Sequence, residues 1–209
     1  MRSIAPLNLN KILDAEHDRR PAAGTQKSAR FAMRERTADC HLETEEAFSR
    51  FDLTFADHYT AFLRAHLAAL DSLEKAVAGQ GWSEWQPRAP LLRADLNGLG
   101  EAARASERCA MQPLSNAEAW GAQYVIEGSA LGGQVLGARI EPGLPRSYLT
   151  RGKSAGRSWR CFCDALDNEA LAASKLNGRT SWIAQAERGA RHAFAAFQKS
   201  ARQMEPQNR

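Results

Sequence analysis

Arg34, His41 and Glu45 combine types and spacing that suit a bound group. In RFAMRERTADCHLETEEAFSRF they recur with Phe31, Ala38 and Phe48 at the 3,4 spacing of one helical face. A neutral imidazole is a common ligand for a transition metal. Glu45 lies one turn after His41, where a carboxylate can take the second ring N–H and fix the tautomer. Arg34 lies two turns before it and could hold an anion roughly 10 Å from the imidazole. A histidine on such a mixed face is more often structural, and its two charged neighbours are what favour a functional one.

A second stretch is unusual for a different reason. WGAQYVIEGSALGGQVL, residues 120–136, reads as one helix with apolar or aromatic residues at Trp120, Tyr124, Leu131, Val135 and Leu136. Yet Gly128, Gly132 and Gly133 lie in its interior. Each costs a helix roughly 0.5–1 kcal/mol relative to alanine. Small residues let a partner helix or a flat ligand touch the backbone, and they permit a kink. Close helix packing and a ligand wall are both open readings. GSALGG fits neither the GxGxxG nor the GxxxxGK[ST] phosphate pattern.

The other candidates carry less. His58 and His66, eight apart on the next helix, read as surface or core histidines. They lack the Glu-x-x-His repeats of di-iron bundles. Cys161-x-Cys163 has no second ligand pair nearby for zinc, so buried thiols are expected. Four cysteines in 209 residues are too few for a disulfide framework, which points to a reducing cytoplasm. No apolar run reaches the ~18–20 residues that span a bilayer, and the N-terminus lacks a signal-peptide core. The net charge of +4 is scattered rather than striped. It suits an anionic small ligand or an acidic partner protein better than nucleic acid.

These residues need a helical frame, and the pattern supplies one. Residues 1–27 read as an arm without sustained periodicity, and 28–209 as one domain. Ser28 is placed to cap a helix running to Phe51. Asp52 or Thr54 would cap the next, with Tyr59, Phe62, Leu63, His66, Leu70 and Leu73 as its stripe. Trp82 and Trp85 follow, at a core edge. A helix start lies near Leu91 to Leu99, Pro142 to Pro145 form a loop, and YLTRGKSAG is a basic connection. Helices beginning at SWRCFCDALDN and SWIAQAERGARHAFAAF close the chain, the last with Ile183, Ala190, Phe194 and Phe197 inward. Alternating β-branched runs are absent. The expectation is an all-α single-domain bundle of about seven or eight helices.

RERTADCHLETE followed downstream by WGAQYVIEGSALGGQVLGARI resembles the two ligand-contacting helices of heme oxygenases. The nearest likeness is to the bacterial enzymes found beside bacteriophytochromes, and it covers roughly residues 28–205. The resemblance implies heme b as both substrate and cofactor, opened by O2 and externally supplied electrons to biliverdin, CO and ferrous iron. A redox partner such as ferredoxin or a reductase is implied, and possession of a bacteriophytochrome partner is compatible with it. By position His41 would be the iron ligand and Glu45 its carboxylate acceptor. Arg34 would lie near a heme propionate, and Gly128, Gly132 and Gly133 over the distal face. Ser129 stands where mammalian-type enzymes carry a water-anchoring aspartate, which leaves the water-organising group open. Phe194 would line the pocket, and Arg160 or Arg157 would reach a second propionate. A non-degrading heme carrier, a di-metal oxidase, a thiamin-degrading relative and a helical interaction module are the competing classes. The distal glycines favour the enzyme over the carrier. The missing Glu-x-x-His pairs and the lack of a base beside any cysteine disfavour the other two enzymes.

Overall fold

The computed structural model describes residues 28–102, 111–150, 155–176 and 178–206, apart from the side chains of 134, 155, 156 and 176. The arm expected over 1–27, Cys109 and part of the basic connection lie outside the described residues. The described chain is all-α, with no strand among the described residues. Its helices are α1 (Ala29–Arg36), α2 (Ala38–Ser49), α3 (Ala56–Ala76), α4 (Ala89–Gly98), α5 (Asn116–Gly137), α6 (Ser147–Thr150), α7 (Ala155–Leu176) and α8 (Arg179–Gln203).

Ser28 caps α1 as expected, accepting from the Phe31 N–H at 3.4 Å. The helix does not run on to Phe51. It is interrupted at Thr37, with φ −120° and ψ 14°. The buried Thr37 hydroxyl donates to the Met33 carbonyl at 2.8 Å. Such back-bonding to i−4 bends helices. The His41 N–H still reaches Thr37 O at 3.0 Å, so α2 grows directly out of the bend.

Neither Asp52 nor Thr54 caps α3. Phe55 is the N-cap and offers no side-chain bond. Asp52 instead shapes the preceding turn, accepting from the Thr54 N–H and hydroxyl at 3.1 and 2.7 Å. Helix α5 begins before Trp120 because Ser115 and Glu118 form a reciprocal cap. The Glu118 N–H donates to Ser115 Oγ at 3.4 Å, and the Ser115 N–H to Glu118 Oε2 at 3.0 Å. The buried Asp95 of α4 accepts from the Ser147 and Tyr148 N–H groups, each at 2.8 Å, and so starts the short α6. The apolar stripes of α3 and α8 are buried as their periodicity predicts, and His66 is buried with the first of them.

The most extensive helix contact is α5 on α8. Two glycines make it possible. A Cβ on Gly121 would stand 1.7 Å from Ala186 O, and one on Gly189 would stand 1.8 Å from Glu118 O. The backbones touch, which no larger residue permits. Close helix packing is therefore real in this stretch, and its tightest point is at Gly121 rather than at Gly128.

Helix α2 is attached differently: it has no fully buried side chain. Arg191 of α8 grips its start, pairing with Asp39 at 2.9 Å and donating to Cys40 Sγ at 3.1 Å. Gln198, one helix face further on, donates to Cys40 O at 3.2 Å and Thr44 Oγ1 at 3.1 Å.

Alanine at Gly121 or Gly189 is expected to lower stability by about 3 kcal/mol, as overpacking of two touching backbones does. Denaturant midpoints check this. Gly128→Ala is the control, expected to cost under about 1 kcal/mol, because its Cβ would meet Trp159 at an ordinary 3.5 Å.

Candidate functional site

Helices α2 and α5 each pack on α8, and a cavity runs from one to the other. Its empty volume, open mouth included, is about 860 Å³. Helix α2 lines it with His41, Thr44, Glu45 and Phe48. Helix α5 lines it with Gly128, Ser129 and Gly132. Phe62 and His66 of α3, Trp159 of α7, and Phe194 and Phe197 of α8 complete a mostly apolar wall.

His41 is about one-quarter exposed, yet its Nδ1 is fully enclosed and has no hydrogen-bond partner. Glu45 Oε1 stands 3.5 Å from that Nδ1, just beyond hydrogen-bond length. With Nδ1 enclosed on the Glu45 side, the ring's exposure belongs to its remaining atoms, on the cavity side. Phe194 holds the ring edge-on, with centroids 6.0 Å apart. Burial pushes the imidazole below its usual pKa of 6.5; Glu45 opposes this and the charge of Arg34 adds to it. A neutral imidazole aimed into an apolar cavity is the protonation state a metal ligand needs.

Arg34 and His41 belong to two helices rather than one, but the bend at Thr37 keeps them close enough to interact. The charge of Arg34 acts on His41 and on the Tyr124 phenol, whose pKa burial raises. On α5, Gly128 and Gly132 line the cavity, whereas Gly133 packs against Leu149, whose carbonyl would lie 3.2 Å from an added Cβ. The Ser129 hydroxyl donates back to Ile126 O at 2.8 Å. That carbonyl also receives the Arg88 guanidinium at 2.9 Å. Arg88 forms a buried ion pair with Glu127 at 2.7 Å, and Ser158 donates to Glu127 at 3.2 Å. This polar cluster fixes the glycine segment from behind.

Arg160 and Arg157 are exposed and are not among the residues lining the cavity; the neighbouring Trp159 lines it instead. Cys161 is exposed, contrary to the buried thiol expected, while burial pushes the Cys163 thiol up to about 12. His58 accepts from the Asp52 N–H at 3.1 Å, a structural role. His66, read from the sequence as a surface or core histidine, lines the cavity. Its place in the apolar stripe of α3 was the signal for burial, but nothing in the sequence showed what it would face. Among the described residues, no group of three or more His, Cys, Asp and Glu could hold a bare metal ion. The site thus offers an imidazole edge, a mostly apolar space and a backbone wall in one cavity.

No protein-family model matches the chain. A protein of Xanthomonas campestris pv. campestris (strain 8004) named heme oxygenase is 34% identical over 156 residues, 68% of this chain and 87% of the relative. The chain belongs to the heme oxygenase family.

Burial holds His66 neutral down to about pH 4, whereas the unfolded chain takes up that proton at about 6.5. The unfolded state therefore binds more protons between these values, and stability falls as pH drops through that window. The loss attributable to His66 is about 3 kcal/mol, complete near pH 4. Denaturant unfolding between pH 7 and 4 should show a shallower decline for His66→Phe than for the unaltered protein.

Proposed function

We propose that this protein is a heme oxygenase, opening heme to biliverdin with release of CO and ferrous iron. The observation that carries the reading is the meeting, in one apolar cavity, of the neutral His41 ring with the Gly128–Gly132 wall. The His41 ring, with Nδ1 turned to Glu45 and its other edge toward the cavity, and the side-chain-free faces of two glycines suit a planar heme. Heme, as substrate, supplies the iron at which O2 is activated.

The chain's own groups divide the remaining work. His41 ligates through Nε2, while Glu45 accepts the Nδ1–H and sets the ring's rotation. Arg34 pairs with a propionate. Gly128 and Gly132 admit the macrocycle to within van der Waals distance of α5 and leave room for O2. Because that wall is backbone and an aliphatic hydroxyl, it offers no strong acid to promote O–O cleavage. Phe194 and Trp159 exclude bulk water from the ring's faces. Electrons come from an external donor such as ferredoxin or a reductase. The domain responsible spans 28–209 and works in the cytoplasm, and biliverdin suits a bacteriophytochrome as its recipient. No described helix is long and apolar enough to cross a membrane.

Hemin titrated into the purified protein should give a one-to-one Soret band, which decays to a broad red absorbance on reduction in air. His41→Ala should lower hemin affinity or abolish turnover, with partial recovery on adding imidazole. Normal turnover without imidazole would refute the ligand assignment. Gly132→Leu should block O2 or displace heme, seen as loss of the oxy-heme spectrum at unchanged fold.

A further inference from the structure

The cavity contains a second imidazole. His66 is 9% exposed and lines the same space as His41. Its Nδ1 lies 3.0 Å from the Phe62 carbonyl. A carbonyl only accepts, so Nδ1 carries the proton and Nε2 is a bare lone pair. The ring is boxed by Phe62, Phe48, Tyr148 and Phe197, with centroids at 4.1, 4.5, 5.4 and 5.5 Å. It has no freedom to turn and exchange its nitrogens. Nδ1 faces its own helix, so Nε2 points away from α3, and it makes no hydrogen bond among the described residues. That lone pair opens onto the cavity, where a donor among its contents can reach it.

The neighbouring hydroxyls are already committed. Thr44 donates to Cys40 O at 2.7 Å, and Ser129 donates to Ile126 O at 2.8 Å. The second histidine borders the same cavity as the glycine wall. Tyr148 of α6 packs against it with centroids 5.4 Å apart, and Phe48 of α2 at 4.5 Å. His41 instead packs against Phe194, one turn before Phe197 on α8.

We propose that His66 Nε2 is the fixed acceptor that holds a water in the heme cavity that the glycine wall borders. This rests on the heme oxygenase reading above. His66 is a positioning residue: it acts on the reacting face through that water. The prediction for the water has a sign. A bare lone pair bonds better to an aqua ligand of ferric heme than to hydroxide, which is the poorer donor. Removing the lone pair therefore destabilises the aqua form and lowers the acid–alkaline midpoint.

Two measurements test it. Imidazole ¹⁵N–¹H spectra of the ligand-free chain should show His66 as the Nδ1–H tautomer with a bare Nε2, and an Nε2–H tautomer would overturn the proposal. In the hemin-loaded protein the optical acid–alkaline midpoint should fall by about one pH unit in His66→Phe, the size of one lost hydrogen bond. His66→Gln, which keeps an acceptor, should recover most of that shift. Circular dichroism verifies the fold of each variant, and His66→Leu replaces the phenylalanine variant if it misfolds. Hemin bound with an unchanged midpoint in the variants sinks the role of His66 alone. No hemin binding by the unaltered chain sinks the heme reading and this proposal with it.

Discussion

The architecture depends on one contact, the meeting of the α5 and α8 backbones at Gly121 and Gly189. Dispersion and packing are strongest where backbones touch, and the geometry tolerates no Cβ on either side. With the two helices locked there, the positions of everything further along α5 follow. Seven and eleven residues after Gly121, Gly128 and Gly132 emerge on the cavity side. The same α8 then presents Phe194 and Phe197 to the two imidazoles. One helix pair thus supports the backbone wall and the aromatic lining together.

The glycines of α5 separate into groups with different duties. Gly121 serves helix packing, Gly128 and Gly132 shape the cavity, and Gly133 accommodates Leu149. Behind the cavity glycines, the buried Arg88–Glu127 pair adds polar rigidity. Arg88 bonds the Ile126 carbonyl at the point where the Ser129 hydroxyl also takes it. A weak helical segment is kept in shape by bonds from its neighbours, a local conflict of the kind expected beside a functional surface.

Much of this was legible from residue spacing. The all-α class, the buried stripes of α3 and α8, and the meeting of His41, Glu45, Phe194, Gly128 and Gly132 in one cavity follow from periodicity and resemblance. What escaped depended on contacts between distant segments. Helical spacing could not show that Thr37 would turn its hydroxyl back on Met33 and divide one helix into two. Gly121 looks like any other small residue until Ala186 is placed against it. His66 sits among apolar residues in the sequence, and only the approach of α2 and α8 shows that its face borders the cavity. Arg160 shows the same limit: a one-residue step along α7 exchanges a cavity face for solvent, and Trp159 takes the inner position.

The two walls of the cavity are held by unlike forces. The α5 wall is locked by backbone contact and buried charge. Helix α2 buries no side chain completely and is fastened by Arg191, Gln198 and their partners near the surface. Local opening draws on the least buried elements first, so α2 belongs to the low-stability end of the molecule and should exchange its amide protons ahead of α5. Ion pairs of this kind are also the ones that salt screens. The histidine-bearing wall is therefore the more loosely held of the two, and the glycine wall the firmer.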